Sequence, residues 1–254
     1  MSVTLKSTRE IGRMRAAGQI VAEVHELMRS HTQPGVTTGE LNRIAHEYII
    51  KSDGTPSFLG YHGFPGSICT SVNEQIVHGI PGDRVLNEGD IVSIDVGVIY
   101  GGYHGDAART LPVGEVSAEA RDLIRVTEES FWAGVLLARE SYRMGDIGSA
   151  IQTFAESNGF HVVRDYVGHG IGREMHEAPQ VPNFGEPGTG RRLRRGMTLA
   201  IEPMLNIGSP GTIELEDGWT VITESGGYSA HYENTVLITD DEPDVLTLLA
   251  SGVV

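Results

Sequence analysis

Apolar residues recur at helical spacing from Thr8 to Met28, stop at Gln33-Pro34-Gly35, and resume behind Thr37-Thr38-Gly39-Glu40, which has the pattern of a capping box. Short apolar runs then predict strands at about 66–72, 91–98 and 104–111. From Ser117 the series restarts. A helix runs to about Glu140, Met144-Gly145 breaks it, a second helix spans Asp146 to Ser157, and strands follow near 162–168, 198–202, 219–223 and 231–238. The repeated order predicts one α/β domain over residues 1–254, built of two related halves of about 1–114 and 115–254. Local sequence agrees weakly: Gly35-Val36-Thr37-Thr38-Gly39-Glu40-Leu41 aligns with Gly145-Asp146-Ile147-Gly148-Ser149-Ala150-Ile151, and His78-Gly79-Ile80 recurs as His169-Gly170-Ile171.

The apolar runs contain charges that do not belong there. Asp95 lies in Ile91-Val92-Ser93-Ile94-Asp95-Val96, Glu202 in Leu199-Ala200-Ile201-Glu202-Pro203-Met204, and Glu233 just before Thr235-Val236-Leu237-Ile238. A buried carboxylate without a partner loses several kcal/mol or stays protonated, and these three runs hold no Lys or Arg. With Asp106, His169 and His176 the set has the pattern of a metal site, because two divalent cations offset four carboxylates. Each half supplies two of the acids, so the site is expected at the junction of the halves, where pockets commonly form.

The first pair can be placed by register. If Gly101-Gly102 is a two-residue hairpin turn, Tyr100 opposes Tyr103 and Ala108 opposes Asp95, which makes Asp106 the diagonal neighbour of Asp95 on one face. Diagonal neighbours stand roughly 7–8 Å apart at Cα, room for two ions about 3.5–4 Å apart between their side chains. The alternative is a pair of solvent-facing aspartates on a one-sided sheet. An oxygen-rich set with one imidazole suits manganese, iron(II) or cobalt better than zinc, although zinc or nickel could bind.

Composition narrows the class. The 254 residues are 39% hydrophobic, enough for one large core. A net charge of −15 disfavours nonspecific binding to DNA; Arg191-Arg192-Leu193-Arg194-Arg195 reads as a solvated loop, with RNA contact as its alternative. One cysteine, Cys69, excludes an intramolecular disulfide and fits a reducing compartment. There is neither a membrane-length apolar run nor a signal-type N-terminus, so the cytoplasm is the expected location. Neither a Gly-x-Ser-x-Gly elbow nor a phosphate loop is present, and His176-Glu177 lacks a second His four residues on.

Across nearly its whole length the chain resembles type I methionine aminopeptidases, peptidase family M24. The resemblance rests on Gly60-Tyr61-His62-Gly63, Asn73-Glu74 with Val77-His78-Gly79-Ile80-Pro81, Asp95-Val96-Gly97, Gly105-Asp106, Gly168-His169-Gly170-Ile171-Gly172, His176-Glu177, Gly196-Met197-Thr198-Leu199-Ala200-Ile201-Glu202-Pro203 and Glu233-Asn234-Thr235. It implies a pita-bread α/β (α+β) fold, with antiparallel sheet flanked by helices and a dinuclear centre between pseudo-symmetric halves. Asp95, Asp106, His169, Glu202 and Glu233 would be the metal ligands. His78 and His176 would handle substrate, and Glu202 would relay the proton of a metal-bridging hydroxide that attacks the first peptide bond. Phe58, Tyr61, His62, Phe64, Cys69, Met175, Met204 and Trp219 would shape a pocket for the methionine side chain. Phe58 stands where a smaller residue is common, Phe64 for a tyrosine and Met175 for a phenylalanine, which bears on pocket size. The implied substrates are nascent polypeptide N-termini with a small second residue, cut by a monomer; the resemblance also allows a transient ribosome association.

Two other readings stay open: a proline-directed peptidase on the same fold, such as prolidase, and a pita-bread binding protein without catalysis. The former usually carries a large extra N-terminal domain, and the latter typically loses ligands. Of the other histidines, His25, His31 and His46 are expected at the surface or its boundary, while His104, His161 and His231 adjoin ligand strands and could support them.

Overall fold

The computed structural model describes residues 3–249; residues 1–2 and 250–254, the ends of the expected 1–254 domain, lie outside the described residues. Helices α1 (Thr8–His31) and α2 (Thr38–Lys51) precede strands β1 (Thr55–Pro56), β2 (Cys69–Val72), β3 (Gln75–Val77), β4 (Ile91–Tyr100) and β5 (Tyr103–Pro112). Helices α3 (Ala118–Val135) and α4 (Met144–Ser157) then precede β6 (His161–Val162), β7 (Gly168–Gly170), β8 (Glu177–Val181), β9 (Thr198–Ile201) and β10 (Met204–Asn206). The last strands are β11 (Thr212–Glu214), β12 (Val221–Thr223), β13 (Ser229–His231), β14 (Asn234–Leu237) and β15 (Asp244–Val245).

Local chemistry sets the helix starts. Glu10 closes a capping box by accepting from the Ser7 backbone N–H at 2.8 Å, and the Thr37 hydroxyl accepts from the Glu40 N–H at 3.1 Å. The long hairpin β4–β5 turns at Gly101-Gly102, where φ is 57° and 80°, the doubly left-handed turn that matches strand twist. Its register pairs Tyr100 with Tyr103 and Asp95 with Ala108, as the sequence predicts, and sets Asp106 opposite Gly97. One face of α1 packs inward: Val21, Val24 and Met28 join the core of the hairpin half, while Met14 packs with Tyr103 and with Ile171, Leu237 and Leu246 of the second half.

The second half is more broken than its apolar runs suggest. Strands β9 and β14 pair within a five-stranded sheet, β15-β14-β9-β7-β8, whereas their continuations β10 and β13 pair within another, β13-β10-β6. The interruptions fall at Glu202-Pro203 and Tyr232-Glu233 on the two facing strands. Pro203 has no N–H for a ladder, and the Tyr232 N–H donates to the Pro203 carbonyl instead. The expected strand at 231–238 is therefore two strands, and the one at 162–168 is also split, with the exposed Arg164 and Asp165 between its parts. The sheet β11-β12-β3 takes a strand from the first half and ties the halves together.

Two helix boundaries also differ from expectation. The helix from Ser117 ends at Val135, because the Glu140 N–H pairs with the Thr239 carbonyl and draws the chain toward the sheet. Helix α4 starts at Met144 rather than after Gly145. Gly145 is there for space: a Cβ on it would stand 2.4 Å from the Glu186 carbonyl oxygen.

Candidate metal centre and substrate pocket

The interruptions in the second half aim its two glutamates at the hairpin. Asp95, Asp106, His169, Glu202 and Glu233 all line one cavity of about 150 Å³, a volume that holds a group of roughly benzene size. Asp106, His169 and Glu233 each offer a ligand atom within 4.8 Å of the others. Asp95 and Asp106 are near enough for each to alter the other's charge state. His169 Nε2 lies 3.6 Å from Glu202 Oε1, and Glu202 Oε2 lies 3.6 Å from His231 Nε2.

Burial controls the charge state. It pushes Asp95 up to about 7 and Glu202 up to about 8, and with the neighbouring acids it drives Asp106 and Glu233 well above the usual carboxylate range. It also pushes His169 down to about 3 and His231 down to about 4, so neither imidazole is the missing counter-charge. Asp95 Oδ1, Asp106 Oδ1 and Glu233 Oε1 are buried without a protein partner among the described residues. Unpartnered carboxylate oxygens that face one another across a cavity fit divalent cations, which would satisfy the lone pairs and offset the charge.

The backbone around these side chains joins the two halves. The Thr235 hydroxyl accepts from the Asp106 N–H and donates to the Asp106 carbonyl, each at 3.0 Å. Ala108 and Glu233 exchange backbone bonds of 3.3 and 3.0 Å. The Asn183 side chain donates to the Glu202 carbonyl at 3.0 Å, holding the strand where Pro203 interrupts it.

The opposite wall of the cavity is apolar. Phe58, Phe64, Cys69 and Met175 form a buried cluster, with Tyr61 and Trp219 packed on it. Phe64 meets Phe58 and Trp219 edge to face, at centroid separations of 6.5 and 5.1 Å. Burial and the nearby acids raise the Cys69 thiol well above its usual value, which leaves it a small apolar group. Two residues expected in this wall lie elsewhere. Met204 is fully buried in a separate cluster with Ile76, Val77, Val163 and Val221, and His62 is exposed with its ring against Tyr61.

Two histidines stand between acid and apolar ends. His176, exposed and lining the cavity, packs against His169 with the rings tilted by 57° and 4.2 Å between centroids, and its Nδ1 is 2.7 Å from the Tyr61 hydroxyl. Packing against these rings desolvates it enough to lower its pKa. Burial pushes His78 down to about 4, and its φ of 59° is rare for a non-glycine residue, a strain of the kind found where side chains are placed for function.

The remaining histidines divide differently from expectation. His25 is buried, with Nε2 at 2.9 Å from the Ala107 carbonyl, because α1 lies flat on the hairpin. His31 and His46 are at the boundary. His231 lies between Glu202 and Glu233, and buried His104 pairs with the Ser57 hydroxyl at 2.9 Å, whereas His161 is exposed. Sequence reading passed over Arg109, whose guanidinium reaches the Glu233 carbonyl; a cation within the apolar β5 was the available signal.

Comparison with known proteins agrees with this geometry. Residues 12–240 match metallopeptidase family M24. The chain is 56% identical to methionine aminopeptidase of Clostridium perfringens, over 97% of this chain and 99% of that one. It is 52% identical to methionine aminopeptidase 1 of Bacillus subtilis, over 96% and 99%. The crystal structure of methionine aminopeptidase from Rickettsia prowazekii superposes with a TM-score of 0.96 at 43% identity, covering 97% of this chain and 100% of that one. A prolidase from Pyrococcus furiosus shares the fold alone, with a TM-score of 0.75 at 22% identity over 97% of this chain and 66% of that one. The chain therefore belongs to the methionine aminopeptidases, hydrolases of metallopeptidase family M24 with the pita-bread α/β fold.

Proposed function

We propose that this chain hydrolyses the first peptide bond of nascent polypeptides that begin with methionine and have a small second residue. The carrying observation is the cavity itself, with carboxyls and an imidazole at one end and an apolar cluster at the other. In this reading Asp95, Asp106, His169, Glu202 and Glu233 hold two divalent ions, with manganese, iron(II) or cobalt fitting the donors best and zinc or nickel also accommodated. Such ions supply Lewis acidity toward the scissile carbonyl and a water acidified to near neutrality.

The protein's own groups do the rest. Glu202 can accept and relay a proton, since burial raises its proton affinity and the imidazoles beside its two oxygens, His169 and His231, are neutral. Desolvation raises the Tyr61 phenol, so it stays protonated, and in this reading it donates to His176 Nδ1. The neutral His176 then carries its proton on Nε2, the tautomer that can donate to a developing oxyanion. His78, which lines the same cavity with its ring 6.4 Å from that of Trp219, orients the scissile amide. Phe58, Tyr61, Phe64, Cys69, Met175 and Trp219 receive the methionine side chain, where thioether contacts with the rings add to burial. Met204 and His62 act on the pocket only through neighbours.

The wider reading is a monomeric, single-domain cytoplasmic enzyme in transient contact with ribosomes. No helix among the described residues is long and apolar enough to cross a membrane, which is compatible with it. The test is anaerobic hydrolysis of Met-Ala-Ser by chelated protein, with Mn, Fe(II), Co and Zn restored separately and Ala-Pro-Ser as control. Metal-dependent release of methionine alone is expected. Cleavage of the proline peptide alone would move the chain to the prolidase branch, and no cleavage with any metal would leave a binding protein.

A further inference from the structure

One half-buried cation takes no part in the chemistry above. Arg109 lies on β5, three residues past Asp106, yet its side chain ends on the other half of the molecule. Nη1 donates to the Ala108 carbonyl at 2.7 Å and to the Glu233 carbonyl at 2.5 Å, and Nη2 donates to the Asn234 side-chain oxygen at 2.6 Å. The guanidinium carbon sits 4.2 Å from the centroid of the Tyr232 ring. The residues on both sides of Glu233, and its own carbonyl, are thus held by one planar group.

We propose that Arg109 is a positioning residue for the metal centre, fixing the backbone from which Glu233 projects toward Asp106. Glu233 lies within the interruption between β13 and β14, held there by its reciprocal backbone bonds with Ala108 rather than by the ladder of either strand. Its backbone bond from the Ala108 N–H is long, at 3.3 Å, which leaves the carbonyl free to accept a second, charge-assisted donor. Arginine meets the requirement because its rigid fork reaches carbonyl and carboxamide at once while stacking on an aromatic face. Lysine is a point charge on a flexible stem and can satisfy only part of this. The inference rests on the reading of Glu233 as a ligand.

The test compares wild type, Arg109→Lys and Arg109→Met. Each is chelated, titrated with Mn2+ by calorimetry, loaded with Co2+ for its visible spectrum, and melted without metal. Groups that orient metal ligands are typically worth 10–100-fold in metal affinity, so Mn2+ affinity should fall by about that factor in Arg109→Lys and further in Arg109→Met. The Co2+ spectrum should shift, while the melting temperature of the chelated Arg109→Lys protein stays near wild type. Wild-type Mn2+ affinity and Co2+ spectrum in both variants would overturn the inference, as would a lower chelated melting temperature with unchanged affinity, which is the signature of a structural role alone. If Arg109→Met does not fold, Arg109→Lys decides. Failure of the wild type itself to bind Mn2+ would instead overturn the reading of the metal centre on which this rests.

Discussion

The two halves bring their acids to the same cavity by different means. In the first half Asp95 and Asp106 sit on one uninterrupted hairpin of two ten-residue strands, so a single register places both. In the second, His169, Glu202 and Glu233 come from three places, beside a bulge in β7 and at two strand interruptions. Their directions depend on side-chain bonds such as Asn183 to the Glu202 carbonyl and Arg109 to the Glu233 carbonyl. The first half is a preformed wall, and the second is assembled against it. The difference predicts where the site is robust and where metal itself must help to order it.

The largest effect should come from the preformed wall, where the protein has no substitute ligand. Asp106→Asn keeps shape and register but removes a charge from the centre of the donor group. Losing several kcal/mol of charge stabilisation, at about 1.4 kcal/mol per factor of ten, should lower kcat/KM for Met-Ala-Ser by about 10³-fold. Metal analysis should show less bound ion. Near-normal turnover in this variant would remove Asp106 from the ligand set.

Chelation should separate the halves directly. A ligand at about 100 times its Kd stabilises the state that binds it by about 2.7 kcal/mol. That contribution should be lost mostly from the assembled half. Hydrogen exchange in the chelated protein should speed up by about 10²-fold around 168–181, 198–206 and 229–238, and much less in the 91–112 hairpin. Equal acceleration in both regions would break the distinction.

These two predictions mark what the sequence made legible. The hairpin could be read to the residue because its two turn glycines fix one register, and Asp95 inside an apolar run announced a compensating charge. Glu202 and Glu233 were identified as anomalous acids, but not the interruptions that aim them. An apolar run looks the same whether it makes one strand or two strands in different sheets, and only the pairing of Tyr232 with Pro203 tells them apart. Met204 was expected in the pocket from its place in the motifs that carry the family resemblance, yet Pro203 separates it from Glu202 and the chain turns it into the core behind. Buried His25 was missed because an imidazole on an amphipathic helix gives no sign of whether a carbonyl waits across the interface.

A smaller effect concerns pH and again falls on the acids. In the metal-free fold Asp95 titrates at about 7 and Glu202 at about 8, whereas unfolded carboxylates titrate near 4. Their contribution to stability is fully present below the unfolded value and is lost as pH rises through the folded values. The depressed histidines, His25 and His169 at about 3 and His231 at about 4, act oppositely, adding stability as pH rises to about 6.5 and nothing beyond. Between about 6.5 and 8 the carboxyls, with Asp106 and Glu233 adding to Asp95 and Glu202, dominate the slope, and the chelated protein should lose roughly 2 kcal/mol or more. Melting curves across that window should show the decline with chelator present and flatten with Mn2+. A flat chelated profile would mean that the acids are already ionised without metal.

The smallest effect tests the border between pocket and core in the assembled half. Met204→Leu conserves volume at a fully buried position packed on Ile76, Val77, Val163 and Val221, and such exchanges usually cost less than about 1.5 kcal/mol. The same exchange at Met175, which lines the cavity with Phe58 and Phe64, removes a thioether from contact with the rings around the expected methionine side chain. Met204→Leu should lower the melting temperature slightly and leave KM for Met-Ala-Ser unchanged, whereas Met175→Leu should raise KM with little change in stability. If the two variants exchange these signatures, Met204 belongs to the pocket after all, and the turn at Pro203 does not separate it from the substrate.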